Sequence, residues 1–146
     1  MRPPQRTVVY KVGDEVEVIG KEEGFYTSYY EATVVSLLPF GRYEVQYKTL
    51  IVDEETKIPL KEAVLAKDLR PVPPLVNTRG EYKLYQAVNT FDNDGWWYGM
   101  IVGRISCTGG KGYNVYFSST NETLPYNCSR IRVHHEFFDA EWQQID

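Results

Sequence analysis

Ser28-Tyr29-Tyr30-Glu31-Ala32-Thr33-Val34-Val35 and, further along the chain, Gly95-Trp96-Trp97-Tyr98-Gly99-Met100-Ile101-Val102 are two versions of one stretch. Each puts an aromatic pair at the mouth of a strand. An acidic, glycine-containing loop precedes each pair, Lys21-Glu22-Glu23-Gly24 in the first case and Asp92-Asn93-Asp94-Gly95 in the second. Small and aliphatic residues follow as a strand. The period of two gives that strand two faces, with Tyr30, Ala32 and Val34 on one, and Trp97, Gly99, Ile101 and Gly103 on its equivalent. One aromatic of each pair therefore points away from the other.

Working outward, the flanks repeat as well. Glu15-Val16-Glu17-Val18-Ile19 alternates charge with aliphatic carbon, as a half-buried strand does. Residues 20–28 form a loop carrying Glu22, Glu23, Phe25 and Tyr26, and 30–38 form the second strand. Pro39-Phe40-Gly41 turns the chain into Arg42-Tyr43-Glu44-Val45-Gln46-Tyr47, which makes a hairpin. An acidic cluster, Asp53-Glu54-Glu55, comes next. Ile58-Pro59-Leu60 then reads as a short edge strand that tolerates proline, 61–67 as room for one helical turn, and Leu69-Arg70-Pro71 as the closing strand. In the second half, 85–90 answers 13–19, 97–105 answers 30–38, and 112–117 answers 41–47. Residues 122–126 answer 56–60, proline included, and 129–133 answer 67–71. Two copies of one five-strand plan form an internal repeat.

Five short strands in about 60 residues fit a small, strongly bent barrel of the SH3 type. The expectation is an all-β protein of two tandem SH3-like, Tudor-like five-stranded barrels: 8–71, a proline-containing linker at 72–80, 81–138, and a tail at 139–146. Units this small bury only about 60% of their unfolded surface, so the two are expected to pack together as one rigid body. Residues 134–146, with Phe137, Phe138 and Trp142, read as a brace docked on the barrel seam.

Composition narrows the function. The chain has 12 Tyr among 146 residues, many of them expected at a surface. A net charge of −4 speaks against life on a phosphate backbone, which needs clustered Lys and Arg, and suits a basic partner. No apolar run approaches the roughly 18 to 20 residues of a membrane helix, and Met1 to Val12 has no signal-peptide core. The expectation is an unexported chain with Cys107 and Cys128 as free thiols, in which the sequons at Asn121 and Asn127 are chance matches. No nucleophile–base pattern or phosphate loop is present. His134-His135 reads as a surface pair without further ligands at zinc spacing. Neither a metal nor a cofactor is expected.

Gly13-Asp14-Glu15-Val16-Glu17-Val18, Tyr29 to Val35, Tyr43 to Leu50 and Asp68-Leu69-Arg70-Pro71, with Asp94-Gly95-Trp96-Trp97, Tyr113 to Phe117 and Ser129-Arg130-Ile131-Arg132, resemble the tandem Agenet domains of plants, Tudor-like chromatin readers. The resemblance covers about residues 8 to 138. Tyr29 stands where Trp is common in the family, and Tyr98 where an acid often follows the Trp pair. The resemblance implies a nuclear, non-catalytic reader of a methylated-lysine histone H3 tail, with dimethylated lysine 9 the best guess. It also implies an aromatic cage. A methylated ammonium keeps its charge but loses donors, and aromatic faces attract it by about 0.5 to 2 kcal/mol each. The first-unit candidates are Phe25 or Tyr26, Tyr29 or Tyr30, and Tyr47. Glu22, Glu23, Asp53, Glu54 and Glu55 are candidate acidic contacts to the peptide. Candidate second-unit contacts are Trp96 or Trp97, Tyr98, Phe117 and Glu122. The alternative is a peptide-binding scaffold without methyl selectivity.

Overall fold

The computed structural model describes residues 6–22, 25–107 and 110–144, with backbone alone at 21, 22, 25–27 and 107. Twelve strands account for most of it: β1 (Glu15–Glu22), β2 (Phe25–Leu38), β3 (Arg42–Ile51), β4 (Pro59–Leu65), β5 (Leu69–Pro71), β6 (Ala87–Asp92), β7 (Gly95–Cys107), β8 (Gly110–Phe117), β9 (Glu122–Asn127), β10 (Ile131–Val133), β11 (His135–Phe138) and β12 (Glu141–Gln144). A 3-10 turn, Ala66–Asp68, precedes β5, and another, Cys128–Arg130, precedes β10. The helical turn expected within 61–67 is thus displaced to 66–68. Pro59 opens a seven-residue strand rather than sitting in a three-residue one, because Lys61 to Leu65 continue the ladder with β3.

Within each unit the strand order is the same, β5-β1-β2-β3-β4 and β10-β6-β7-β8-β9. Among the described residues no ladder joins β4 to β5 or β9 to β10, so each unit is a bent sheet curled toward a barrel without hydrogen-bonded closure. The bend has a local origin. The β2/β3 register shifts between Val34 and Ser36, and the β7/β8 register between Ile101 and Gly103. An extra residue on one strand sharpens its twist, which lets each long strand serve both faces of its curl.

The repeat extends to individual hydrogen bonds. Gly13 N–H donates to the Val34 carbonyl at 2.8 Å and Val34 N–H to the Asp14 carbonyl at 2.9 Å; Tyr85 and Ile101 (2.7 Å) and Ile101 and Gln86 (3.0 Å) do the same in the second unit. Tyr10 and Tyr43 meet edge to face at 5.5 Å, and so do Tyr82 and Tyr113. In each pair the second hydroxyl accepts the backbone N–H of the first residue, at 3.2 and 3.1 Å. Most of the tyrosine the composition assigned to the surface is inside: Tyr10, Tyr29, Tyr43, Tyr47, Tyr82, Tyr113 and Tyr126 are all buried. Inward-facing Val16, Val18, Val34, Val45 and Leu69 fill one core, and Val88, Ile101, Val115, Ile131 and Val133 the other.

The units are fused into one ten-stranded sheet, because β2 pairs β7 at Ser28 opposite Trp97 and Tyr29 opposite Trp96. Glu17, at 0% exposure, lies at the junction. Its Oε1 accepts from Arg70 Nε (3.0 Å) and Nη2 (2.8 Å), while Arg132 donates Nη1 to Oε2 (2.7 Å) and Nη2 to Oε1 (3.0 Å). Each guanidinium also covers an aromatic of its own unit. Arg70 lies 3.5 Å from the Tyr29 centroid, and Arg132 lies 4.2 Å from that of Trp96. Burial pushes the Arg70 guanidinium below its ordinary pKa, against the pull of Glu17.

The C-terminal hairpin β11–β12 closes over this junction, spanning the boundary that the sequence reading placed at 138. The His135 carbonyl accepts from Arg70 Nη1 at 2.8 Å, and the Trp142 ring lies 5.0 Å from the same guanidinium. His134 and His135 are consequently buried rather than a surface pair. Arg132 Nε donates to Asn89 Oδ1 (3.0 Å), which turns the Asn89 amide nitrogen toward His134 Nδ1 (2.9 Å), leaving His134 Nε2–H to donate to Glu136 (2.7 Å). The orientation of each group is fixed by the one before it.

Candidate aromatic sites at the mouths of the two units

In the first unit, β2 and β3 bring Tyr30 and Tyr47 together. The core face of β2 carries Ala32 and Val34 at zero exposure, and Tyr30 stands at its open end. Its ring meets Tyr47 edge to face at 6.3 Å and Trp97 of the other unit at the same distance. This approach requires Gly95. A Cβ there would sit 2.9 Å from Cε1 of Tyr30. The Tyr47 hydroxyl donates to Glu62 Oε1 at 3.3 Å, and burial, then Glu62, pushes its pKa up.

The structure places Tyr29 elsewhere. Alternation turns it off the core face, but that face meets the second unit and not solvent, so Tyr29 is 2% exposed beneath Arg70. Burial raises its pKa to about 12. Phe25, Tyr26 and Glu22 have no described side chains, but their backbones extend the β1/β2 ladder where a loop over 20–28 was expected, and Glu23 lies outside the described residues. Asp53, Glu54 and Glu55 are exposed in the β3–β4 turn. There Asp53 Oδ1 accepts from Thr56 N (2.7 Å) and Oγ1 (2.9 Å), which holds its carboxyl below the usual range. The acid against Tyr47 is Glu62, which sequence reasoning missed. Glu62 comes from the neighbouring strand β4, and only the β3/β4 register brings it there.

The second unit opens into a recess of about 260 Å³ lined by Trp97, Phe117, Tyr126, Asp92, Asn93, Ser119, Thr120, Glu122 and Leu124. Of the second-unit candidates it unites Trp97, Phe117 and Glu122. Trp96 is turned to the junction instead, donating Nε1–H to Glu31 at 3.0 Å, and Tyr98 packs its ring on His134 at 4.6 Å. Among the other lining residues, Asp92 and Tyr126 were not site candidates in the sequence. The Tyr126 hydroxyl donates to Asp92 Oδ2 at 2.8 Å, and its ring meets Phe117 at 6.0 Å. The matching of Pro59 with Pro125 hid it, since the ladders set Tyr126 opposite Tyr113 and Val64 opposite Tyr43. Tyr126 therefore answers Val64 and not Leu60. The signal that could have found it is the β8/β9 alternation, counted from Phe117 rather than from the proline.

These features define a two-unit β-sheet module: two curled sheets with aromatic mouths, joined through one hydrogen-bonded junction. Residues 13–74 match the Agenet domain. The chain is 31% identical over 144 residues to Protein AGENET DOMAIN (AGD)-CONTAINING P1 of Arabidopsis thaliana, covering 97% of this chain and 27% of that protein. It is 30% identical over 135 residues to DUF724 domain-containing protein 3 of Arabidopsis thaliana, covering 88% of this chain and 19% of that one. Among solved structures it resembles Arabidopsis thaliana AGDP1 AGD34, with TM-score 0.79, 29% identity and 91% and 88% of the two chains covered. ADCP1 tandem Agenet domain 3-4 follows at TM-score 0.76, 27% identity and 91% and 86% coverage. The chain belongs to the Agenet family, Tudor-like modules that are often chromatin readers. It spans about a quarter or less of the length of the curated relatives it matches.

Proposed function

We propose that this chain is a non-catalytic, nuclear chromatin reader that captures a methylated lysine of a histone H3 tail, with dimethylated lysine 9 the first candidate. The observation that carries the reading is the first-unit mouth, where Tyr30 and Tyr47 stand at 89° to each other with Glu62 against the second ring. Perpendicular rings beside a carboxylate suit an alkylated ammonium: the faces attract its charge, and the acid adds long-range pull without requiring N–H donors. Phe25 or Tyr26 would complete the walls from the start of β2. Tyr29 drops out of the proposed cage, since a ring under Arg70 has no face left to offer. Glu22, Glu23 and the Asp53-Glu54-Glu55 turn would attract the basic peptide from outside.

Calorimetric titration with H3-tail peptides tests this. The lysine-9-dimethylated peptide is expected to bind about ten-fold tighter than the unmodified one, the worth of roughly 1.4 kcal/mol from a few cation–π faces. Tyr30→Ala removes that preference while the chain stays folded. Equal affinity for both peptides would leave a scaffold that binds peptides without methyl selectivity.

A further inference from the structure

The second unit has a far end as well as a mouth, roughly 20 Å along β7 from Trp97. A recess of about 750 Å³ opens there, with Glu81, Lys83, Leu84, Tyr85, Gln86 and Arg104 in its lining. The first unit supplies the reference, because the two far ends match bond for bond. Lys11 N–H donates to the Asp14 carboxylate at 2.8 Å, and Lys83 N–H to the Gln86 amide oxygen at 2.9 Å. Gln86 thus keeps the turn and drops the charge. Arg104 stands opposite Tyr113 where Leu37 stands opposite Tyr43, which adds a cation. Tyr85 takes the place of Gly13, each donating its N–H to the matching strand carbonyl, Ile101 or Val34. Gly13 has φ +96° and Tyr85 φ +67°, a left-handed backbone that a bulky side chain adopts only with strain. The tyrosine is 64% exposed and Leu84 beside it 57%, so core packing accounts for neither.

We propose that this far end is a docking surface for an acidic peptide segment with a short apolar anchor. The anchor lies on Leu84 and Tyr85, and the carboxylates meet Lys83, Arg104 and Lys111. Glu81 is the acid in the lining, paired with Lys111 and, at 3.0 Å, with Arg104 Nη2. Three cations against that one acid leave the surface positive, on a chain whose net charge is −4. Glu81 also holds the Arg104 and Lys111 heads side by side, and Arg104 spends only Nη2 on it, which leaves Nε and Nη1 for an incoming carboxylate. A basic histone tail is repelled here and drawn to the acidic mouths, so the two surfaces suit partners of opposite charge. The proposal does not rest on the methyl-lysine reading.

The test is an NMR titration of the whole chain, in about 50 mM salt to limit screening, with a blocked peptide of two leucines flanked on each side by glutamates. The Tyr85 ring and the Gln86 side-chain amide are expected to shift, and the same peptide with lysine for glutamate should leave them unmoved. Tyr85→Gly, which installs the first unit's residue, should weaken binding about ten-fold in a chain that melts no lower than the parent. Arg104→Leu should weaken it about ten-fold and Gln86→Asp about five-fold, each again the first unit's residue. Tyr30→Ala, at the mouth, should leave the titration unchanged. The proposal is overturned if Tyr85 and Gln86 stay unmoved at millimolar peptide, if the lysine peptide binds equally, or if Tyr85→Gly keeps full affinity. It also falls if a short oligothymidylate shifts the same residues at lower concentration than the acidic peptide, which would assign the surface to single-stranded nucleic acid.

Discussion

Position for position, Tyr30, Ala32, Val34 and Tyr47 of the first unit answer Trp97, Gly99, Ile101 and Phe117 of the second, on strands with equivalent ladders. The backbones agree and the fillings do not. A Cβ on Gly99 would lie 2.5 Å from Val115 Cγ1 and 3.1 Å from Phe117 Cε1, whereas Ala32 carries its methyl at zero exposure. The second unit has exchanged that methyl for close packing of its larger rings and has added Tyr126 beside them. Its three aromatic walls come from β7, β8 and β9, while the two described walls of the first unit come from β2 and β3. The same duplication thus yields two mouths on equivalent strands with different linings.

Several substitutions would break or sharpen the comparison. The largest effect is expected at the junction, where the first unit has Glu17 and the second Asn89. Glu17→Ala leaves the buried Arg70 and the part-buried Arg132 without their acid and should cost about 3 to 5 kcal/mol by urea unfolding. A loss near zero would mean that the units do not depend on this carboxylate. Tyr29→Ala should follow at about 3 kcal/mol, as a buried ring leaves a cavity under Arg70; its half-buried neighbour Tyr30→Ala should cost far less, and the melting temperatures of the two variants separate these roles. Gly99→Ala is expected to destabilise by about 2 kcal/mol through overpacking. Finding it neutral would show that Phe117 and Val115 yield freely.

The smallest effect concerns pH. Burial lowers the pKa of His135 from its ordinary 6.5, and among the described residues its Nδ1 has no partner within hydrogen-bond geometry. Because the folded-state value lies below the unfolded one, the unfolded chain binds more protons as pH falls below about 6.5, and stability is lost in that direction and retained above it. Urea midpoints at pH 7.5 and 5.5 should therefore differ by less in His135→Phe than in the parent chain. An unchanged difference would assign the pH dependence to other groups.

The strand plan was legible because alternation is written in the residues: Glu15 to Ile19 and Arg42 to Tyr47 declare their faces, and the repeat confirms them. The fate of the paired aromatics was not. Period two separates Tyr29 from Tyr30 but offers only core or solvent, and Tyr29 and Trp96 enter a third environment, the junction, that exists only once two units meet. Glu62, Asp92 and Tyr126 were hidden for a related reason. Each reaches its mouth across a ladder, so its part depends on register between strands rather than on neighbours in the chain. Proline misled here, since Pro59 and Pro125 match by eye and sit four residues apart in the ladders that position Val64 and Tyr126.

The carboxylate shared at Glu17 also bears on how such proteins are assembled in evolution. Two copies of the first half would bring two acids to two arginines, and two copies of the second half would bring none, since Asn89 stands in the matching place. Neither half can substitute for the other, and either one alone would present the strand edge through which β2 and β7 meet. Shuffling single halves would be selected against. Duplication by whole pairs would keep each Glu17 with both of its arginines.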